Sequence, residues 1–187
     1  GFFSRIQRGR PWVRVKLGMS LDGRTALANG ESKWITSEAS RADVMRWRAR
    51  SGAILTGIGT VLADNPRLTV RLPGGEDFVP PLRVVVDEHG RLPATSHLLT
   101  DGAAPTLAVH GDDVVPAYGD DVSAFAIRRF VHGGLDLGAL LSQLAQRGEA
   151  VHAGQHDVQE DQFGRLGTGD VQALFGVLGL QHFVAVL

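Results

Sequence analysis

The chain has 187 residues and a mass of 20.0 kDa, enough for one ordinary domain with its own hydrophobic core. Apolar residues make up 43% and charged residues 21%, proportions that exclude a disordered tail and a membrane protein. A net charge of -1, from 19 basic and 20 acidic side chains, argues against a generic nucleic-acid binder, and the absence of cysteine excludes disulfides, zinc–thiolate sites and thiol catalysis.

The first ten residues are basic but carry no apolar core, so no secretory signal is expected, and a small domain without disulfides fits the cytoplasm. Trp12 to Leu17 alternates apolar and polar residues and predicts a strand, which Gly18 and Ser20-Leu21-Asp22-Gly23 end in a turn. Thr36 or Ser37 is placed to cap a helix over about Glu38 to Arg50, with Val44, Trp47 and Ser51 on one face and the arginines on the other. Ala53 to Thr56 reads as a buried strand running into the glycine turn Gly57-Ile58-Gly59-Thr60. Leu68 to Arg71 reads as another strand, and the Pro- and Gly-containing stretch Leu72 to Pro81 as loop. Leu82 to Asp87 and Thr106 to His110 predict buried strands, and Ala124 to Phe130 a weaker one. Asp136 then caps a helix whose Leu137, Leu140, Leu141 and Leu144 share one face, with Gly148 as its stop. Strands alternating with helices imply an α/β domain around a largely parallel sheet.

From Glu149 onward the character changes to an acidic, Gln- and His-containing stretch. The apolar run Val171 to Leu187 is broken by Gln172, Gln181 and His182 and falls short of the ~20 residues of a spanning helix, so no membrane span is expected.

The clearest chemical signal is a strand delivered into Gly57-x-Gly59-Thr60 and a helical turn. Glycines there let backbone N–H groups approach a phosphate, although Leu62 stands where a dinucleotide fingerprint needs its third glycine, and an ordinary tight turn reads the same way. The basic set holds only two lysines, Lys16 and Lys33, and arginine suits bidentate recognition of phosphate. Arg48, Arg67 and Arg71 are the candidates for a substrate phosphate, with solvated helix and loop charges as the plain alternative. Asp22 and Asp64 sit beside turns, where capping competes with catalysis. Trp34 either stacks on a ring or packs. His152 and His156 with Asp157 have helical ligand spacing, but Gly154 weakens the helix and no third anchor is evident, so no metal site is expected.

Three segments in order carry a family resemblance: Val15-Lys16-Leu17-Gly18-Met19-Ser20-Leu21-Asp22-Gly23-Arg24-Thr25-Ala26, Gly30-Glu31-Ser32-Lys33-Trp34-Ile35-Thr36, and Ala53 through Thr56-Gly57-Ile58-Gly59-Thr60 to Asp64-Asn65-Pro66-Arg67-Leu68-Thr69-Val70-Arg71. Together they resemble the reductase domain of the bifunctional riboflavin-biosynthesis deaminase/reductase. The resemblance runs over residues 1–148: residues 1–11 resemble the connection that follows the family's deaminase domain, residues 12–148 the reductase domain, and residues 149–187 are an unassigned tail. It implies a dihydrofolate-reductase-like fold with a largely parallel sheet flanked by helices, incomplete at its C-terminal end. It also implies NADPH-dependent reduction of 5-amino-6-(5-phosphoribosylamino)uracil by hydride transfer to ribose C1′, without a protein nucleophile. By matching positions, Gly18, Trp34, Gly57, Gly59, Thr60 and Asp64 are expected at the NADPH site. Ser32, Arg48, Leu68 and Arg71 are expected at the substrate site, the arginines toward its phosphate. Lys16 is a candidate to reach the ribose. The expected partners are a phosphorylated pyrimidine and a second copy of the chain, with no nucleic acid and no membrane.

Two departures stand against the family pattern. Glu88 replaces a serine near the cofactor, where an acid disfavours the extra phosphate of NADPH. Glu149-Ala150-Val151-His152-Ala153-Gly154-Gln155 stands where the family has Glu-Gly-Gly or Glu-Ala-Gly, and the family's final strands are expected to be missing. A shifted reading frame near residue 149 is the expected source of both changes in the tail, with a genuine variant tail as the alternative. The alternatives that remain are a related reductase of the same fold on another small substrate, and a fragment that binds cofactor without turnover.

Overall fold

The computed structural model describes residues 2–74, 77–118, 122–128, 134–146 and 184–186. Helix α1 (Phe2–Arg8) precedes strand β1 (Arg14–Lys16), and helix α2 (Glu38–Ala49) leads into β2 (Ala53–Gly57) and α3 (Ile58–Asp64). Strand β3 (Leu82–Val86), the short α4 (His97–Thr100), β4 (Thr106–Gly111), β5 (Ala124–Ile127), α5 (Leu137–Gln146) and β6 (Val184–Val186) follow. The sheet order is β1-β6-β2-β3-β4-β5. Strands β2 to β5 are mutually parallel, whereas β6 is antiparallel to both its neighbours, so β1 points the same way as β2. The carboxyl ends of β1 to β5 therefore share one rim, the place where open α/β sheets bind ligands.

The apolar runs form buried strands because both faces of the sheet are covered. On one face Leu55, Val84, Val86, Leu107 and Val109 pack against Leu137, Leu140 and Leu144 of α5. On the other, Ile54, Val85 and Ala108 pack with Ile58 and Val61 of α3, Leu98 of α4, and Leu68, Leu92 and Tyr118. Alternate residues of one strand thus enter opposite cores, as the pleat demands. Asp136 caps α5 as expected: its carboxylate Oδ1 accepts the Ala139 N–H at 2.9 Å.

Three expectations are corrected. Leu68 to Arg71 is not a strand. Leu68 has a φ of 49° and Asn65, the C-cap of α3, a φ of 41°, so the chain turns twice through the left-handed region where a strand would need extended backbone. The arginines of α2 are not all turned to solvent: α2 buries no residue fully, and Arg48 reaches inward with its Nε buried. The segment Phe2–Arg8, within the stretch read as a connection, is helical. The tail also supplies a strand after all. Val184–Val186 pairs in register with Arg14–Lys16 on one side and Ile54–Thr56 on the other. An apolar, β-branched run is what a position between two strands selects. The strand at Ala124 ends at Ile127, and Phe130, Gly148, Glu149, His152, Gly154, His156 and Asp157 lie outside the described residues.

At the rim, Gly90 has a φ of +66°, and a Cβ there would lie 2.8 Å from Pro116 Cα and 3.1 Å from Val114 Cγ1. Gly90→Ala combines left-handed strain with a backbone clash, and its expected effect is a loss of roughly 1–3 kcal/mol, read as a lowered denaturation midpoint.

Candidate functional site

Strand β1 delivers Lys16 to the rim, and the chain turns at Gly18 immediately afterwards. A Cβ on Gly18 would stand 3.3 Å from Lys16 Nζ and 3.8 Å from Thr36 Cγ2, so glycine keeps the space over the amine open. The half-buried Lys16 ammonium is held below the ordinary lysine value by burial first and by the charge of Arg48 second. Arg48, in the last turn of α2, is pulled down to about 10 by burial and by Arg71. Its Nη1 donates to the Thr69 carbonyl at 3.2 Å, while its buried Nε has no partner. Among the described residues no carboxylate forms an ion pair with Lys16, Arg48 or Arg71. Three cations from β1, α2 and the segment after α3 thus converge without a counter-charge. Such a cluster is electrostatically strained when empty and relieved by an anion.

A second group adjoins it through Thr36. The Trp34 indole is 74% exposed and lies 4.4 Å from the guanidinium carbon of Arg41, whose Nη1 donates to the Thr36 carbonyl. Lys33 Nζ is 3.5 Å from Asp64 Oδ1, fastening the Ser32–Thr36 loop to the end of α3. The result is an aromatic face held open on a tethered loop. Gly57 is the N-cap of α3, and Gly59 and Thr60 form its first turn, with Thr60 buried. They lie at the carboxyl end of β2, on the same rim as Lys16.

Not every candidate comes to this rim. Arg67 turns away, its Nη1 3.5 Å from Asp101 Oδ2. Leu68 as a whole is 4% exposed, sunk in the core. Asp22 accepts from the Ser20 hydroxyl and pairs with Arg24 at 3.8 Å on the surface, the capping role of a turn. Glu88 follows β3 and is half-buried on the rim. Arg41 and Lys33, which hold Trp34 and Asp64, escaped the sequence reading, because seven and thirty-one residues separate pairs that meet only after folding. Among the described residues no three His, Asp or Glu side chains are gathered to hold a metal ion, and no helix is long and apolar enough to cross a membrane.

The pKa directions set a pH dependence. Lys16 and Arg48 give up protons more readily in the folded chain than in the unfolded one. Their protonated forms therefore weaken the fold at neutral pH, and that penalty lifts as pH rises through the lowered values. Phosphate needs the protonated forms and raises both pKa values on binding. Phosphate affinity is expected to be flat near neutrality and to fall as pH approaches about 10, with proton uptake on binding in the alkaline range. Calorimetry in two buffers of different ionisation enthalpy measures that uptake.

The RibD C-terminal domain family matches residues 11–152. The riboflavin biosynthesis protein RibD of Bacillus amyloliquefaciens is 42% identical over 151 residues, covering 79% of this chain and 40% of that protein. RibD of Escherichia coli K12 is 38% identical over 157 residues, covering 79% and 42%. The chain therefore spans about two fifths of the length of these relatives. Among solved structures, a deaminase/5-amino-6-(5-phosphoribosylamino)uracil reductase from Thermotoga maritima superposes with a TM-score of 0.65 at 31% identity, covering 78% of this chain and 39% of that one. Acinetobacter baumannii RibD gives 0.65 at 36% identity, covering 80% and 40%. The fold is accordingly dihydrofolate-reductase-like, an α/β domain on a largely parallel sheet.

Proposed function

The chain belongs to the RibD C-terminal domain family, and from that premise we propose that it reduces 5-amino-6-(5-phosphoribosylamino)uracil to the ribitylamino compound with NADPH. The observation that carries the reading is the cluster of Lys16, Arg48 and Arg71, which pairs with no carboxylate among the described residues. A phosphorylated substrate neutralises it, and each charge-assisted hydrogen bond to phosphate contributes roughly 1.5–3 kcal/mol. A non-phosphorylated carbonyl compound would leave two arginines unanswered.

Reduction of the ring-opened sugar adds a hydride to C1′ and a proton to the adjoining nitrogen, converting C=N to CH–NH. NADPH, when bound, supplies the hydride and leaves as NADP+. The residues present fit such a cofactor. Trp34 offers an exposed ring face backed by Arg41, Gly18 leaves room that a Cβ would fill, and Gly57, Gly59, Thr60 and Asp64 form the adjoining wall. The chain's own part is to bind and orient. Arg48 and Arg71 hold the phosphate, Ser32 borders the sugar and base, and the Lys16 ammonium stands at the ribose. Positioning of this kind needs no nucleophile.

Titration of the chain with NADPH, and separately NADH, followed by nicotinamide fluorescence, tests the cofactor half of the reading. Saturable, NADPH-preferring binding that weakens in Trp34→Ala is expected. Because Trp34 is exposed, that change leaves the core untouched. A folded chain that binds neither nucleotide would contradict the proposal, and preference for NADH would transfer it to the other cofactor through Glu88.

A further inference from the structure

Arg83 is 1% exposed on β3, in a row whose neighbours are Leu82, Val84 and Val85. A buried guanidinium among aliphatic side chains is expensive unless its charge is met and most of its donors are used; here only Nε is buried without a partner. Its Nη1 donates to Asp101 Oδ1 at 2.8 Å and to the Arg67 carbonyl at 3.1 Å, and its Nη2 to the carbonyls of Leu98, at 2.8 Å, and Ala104. Asp101 in turn takes the Arg67 side chain at 3.5 Å. Burial pushes the Asp101 carboxyl upward, but the Ala103 N–H and the two arginines outweigh it and keep it ionised below the ordinary range.

The bond to the Arg67 carbonyl and the Arg67–Asp101 pair reach one irregular segment. Residues 65–71 belong to no helix or strand, yet they supply the Thr69 carbonyl that Arg48 grips and Arg71 itself. The segment is fixed at successive points. His97 N–H donates to Asn65 Oδ1 at 2.9 Å, Arg83 and Asp101 take the backbone and side chain of Arg67, and Leu68 is sunk in the core. We propose that Arg83 and Asp101 are positioning residues for anion binding: through Arg67 they fix the segment that sets Thr69 and Arg71 against Arg48, without touching the ligand. This rests on the reading of Arg48 and Arg71 as the phosphate site.

The test compares the parent chain with Arg83→Met, which keeps apolar volume, and with Arg67→Met, which removes a half-exposed side chain and leaves the core intact. The probes are ribose 5-phosphate binding, NADPH binding and, with the phosphorylated pyrimidine, the split between KM and kcat. Loosening a charge-assisted contact weakens binding roughly ten- to hundredfold. That rise in Kd and KM is expected in Arg83→Met, with a smaller rise in Arg67→Met and with NADPH affinity and kcat unchanged. If Arg83→Met does not fold, Arg67→Met alone decides, since cutting its bond to Asp101 must still weaken the sugar phosphate. Folded variants that bind ribose 5-phosphate as the parent does would overturn the positioning role. A parent chain that binds no sugar phosphate would instead overturn the phosphate site itself.

Discussion

Arg48→Met is expected to lower affinity for the phosphorylated pyrimidine about ten- to hundredfold, while leaving the chain at least as stable as the parent. The loss follows from removing a charge-assisted contact of roughly 1.5–3 kcal/mol. The retained stability follows from the site's own electrostatics. Arg48 is held at about 10 by burial and by Arg71, its Nε is buried without a partner, and Lys16 is lowered beside it. Methionine preserves much of the volume and removes one of three crowded cations. A residue kept for stability would show the opposite pair of effects. Phosphate titration and a denaturant curve on the same preparation measure both.

Deleting residues 184–187 is expected to weaken the fold by several kcal/mol and to remove sugar-phosphate binding with it. Strand β6 is paired to Arg14–Lys16 on one side and Ile54–Thr56 on the other, and it is the strand through which β1 joins the sheet. Three residues are matched on each side. With the N–H and C=O groups of all three residues to pair, at about 0.5–1.5 kcal/mol net per hydrogen bond, the loss is roughly 3–9 kcal/mol, a large part of the ~5–15 kcal/mol that holds a domain together. Lys16 is matched with Val184, so the shortened chain has no fixed place for its ammonium. A truncated chain with an unchanged melting temperature and unchanged phosphate affinity would show that β1 is held by other means.

Local patterns carried a good part of this architecture. The buried strands β2, β3 and β4 are legible because parallel strands covered on both faces read as continuous apolar runs. Helix α5 is legible from leucines at i, i+3 and i+7 and from Asp136 at its start. What escaped depends on contacts distant in the chain. Leu68 looks extended by composition, yet its left-handed φ is imposed by a core of residues up to Tyr118. The pairing of Arg67 with Asp101 cannot be read from either residue's neighbours, so Arg67 looks as fit for phosphate as Arg71 does. Strand β6 is three residues long at the end of an apolar run broken by Gln181 and His182, and its place between β1 and β2 is set by the gap they leave. At the site, Lys16, Arg48 and Arg71 were named from family motifs and from phosphate chemistry. Their mutual proximity, and the lack of a balancing carboxylate among the described residues, came only with the fold.

The most direct measurement is the rate of NADPH oxidation, at saturating cofactor, with the phosphorylated pyrimidine and with the same compound after enzymatic removal of its phosphate. Saturable oxidation is expected with the first, together with a rise in KM of at least tenfold for the second that shrinks in Arg48→Met. Equal efficiency on both compounds would contradict the assignment of Arg48 and Arg71 to the substrate phosphate, and a folded chain that oxidises NADPH with neither would contradict the reductase reading.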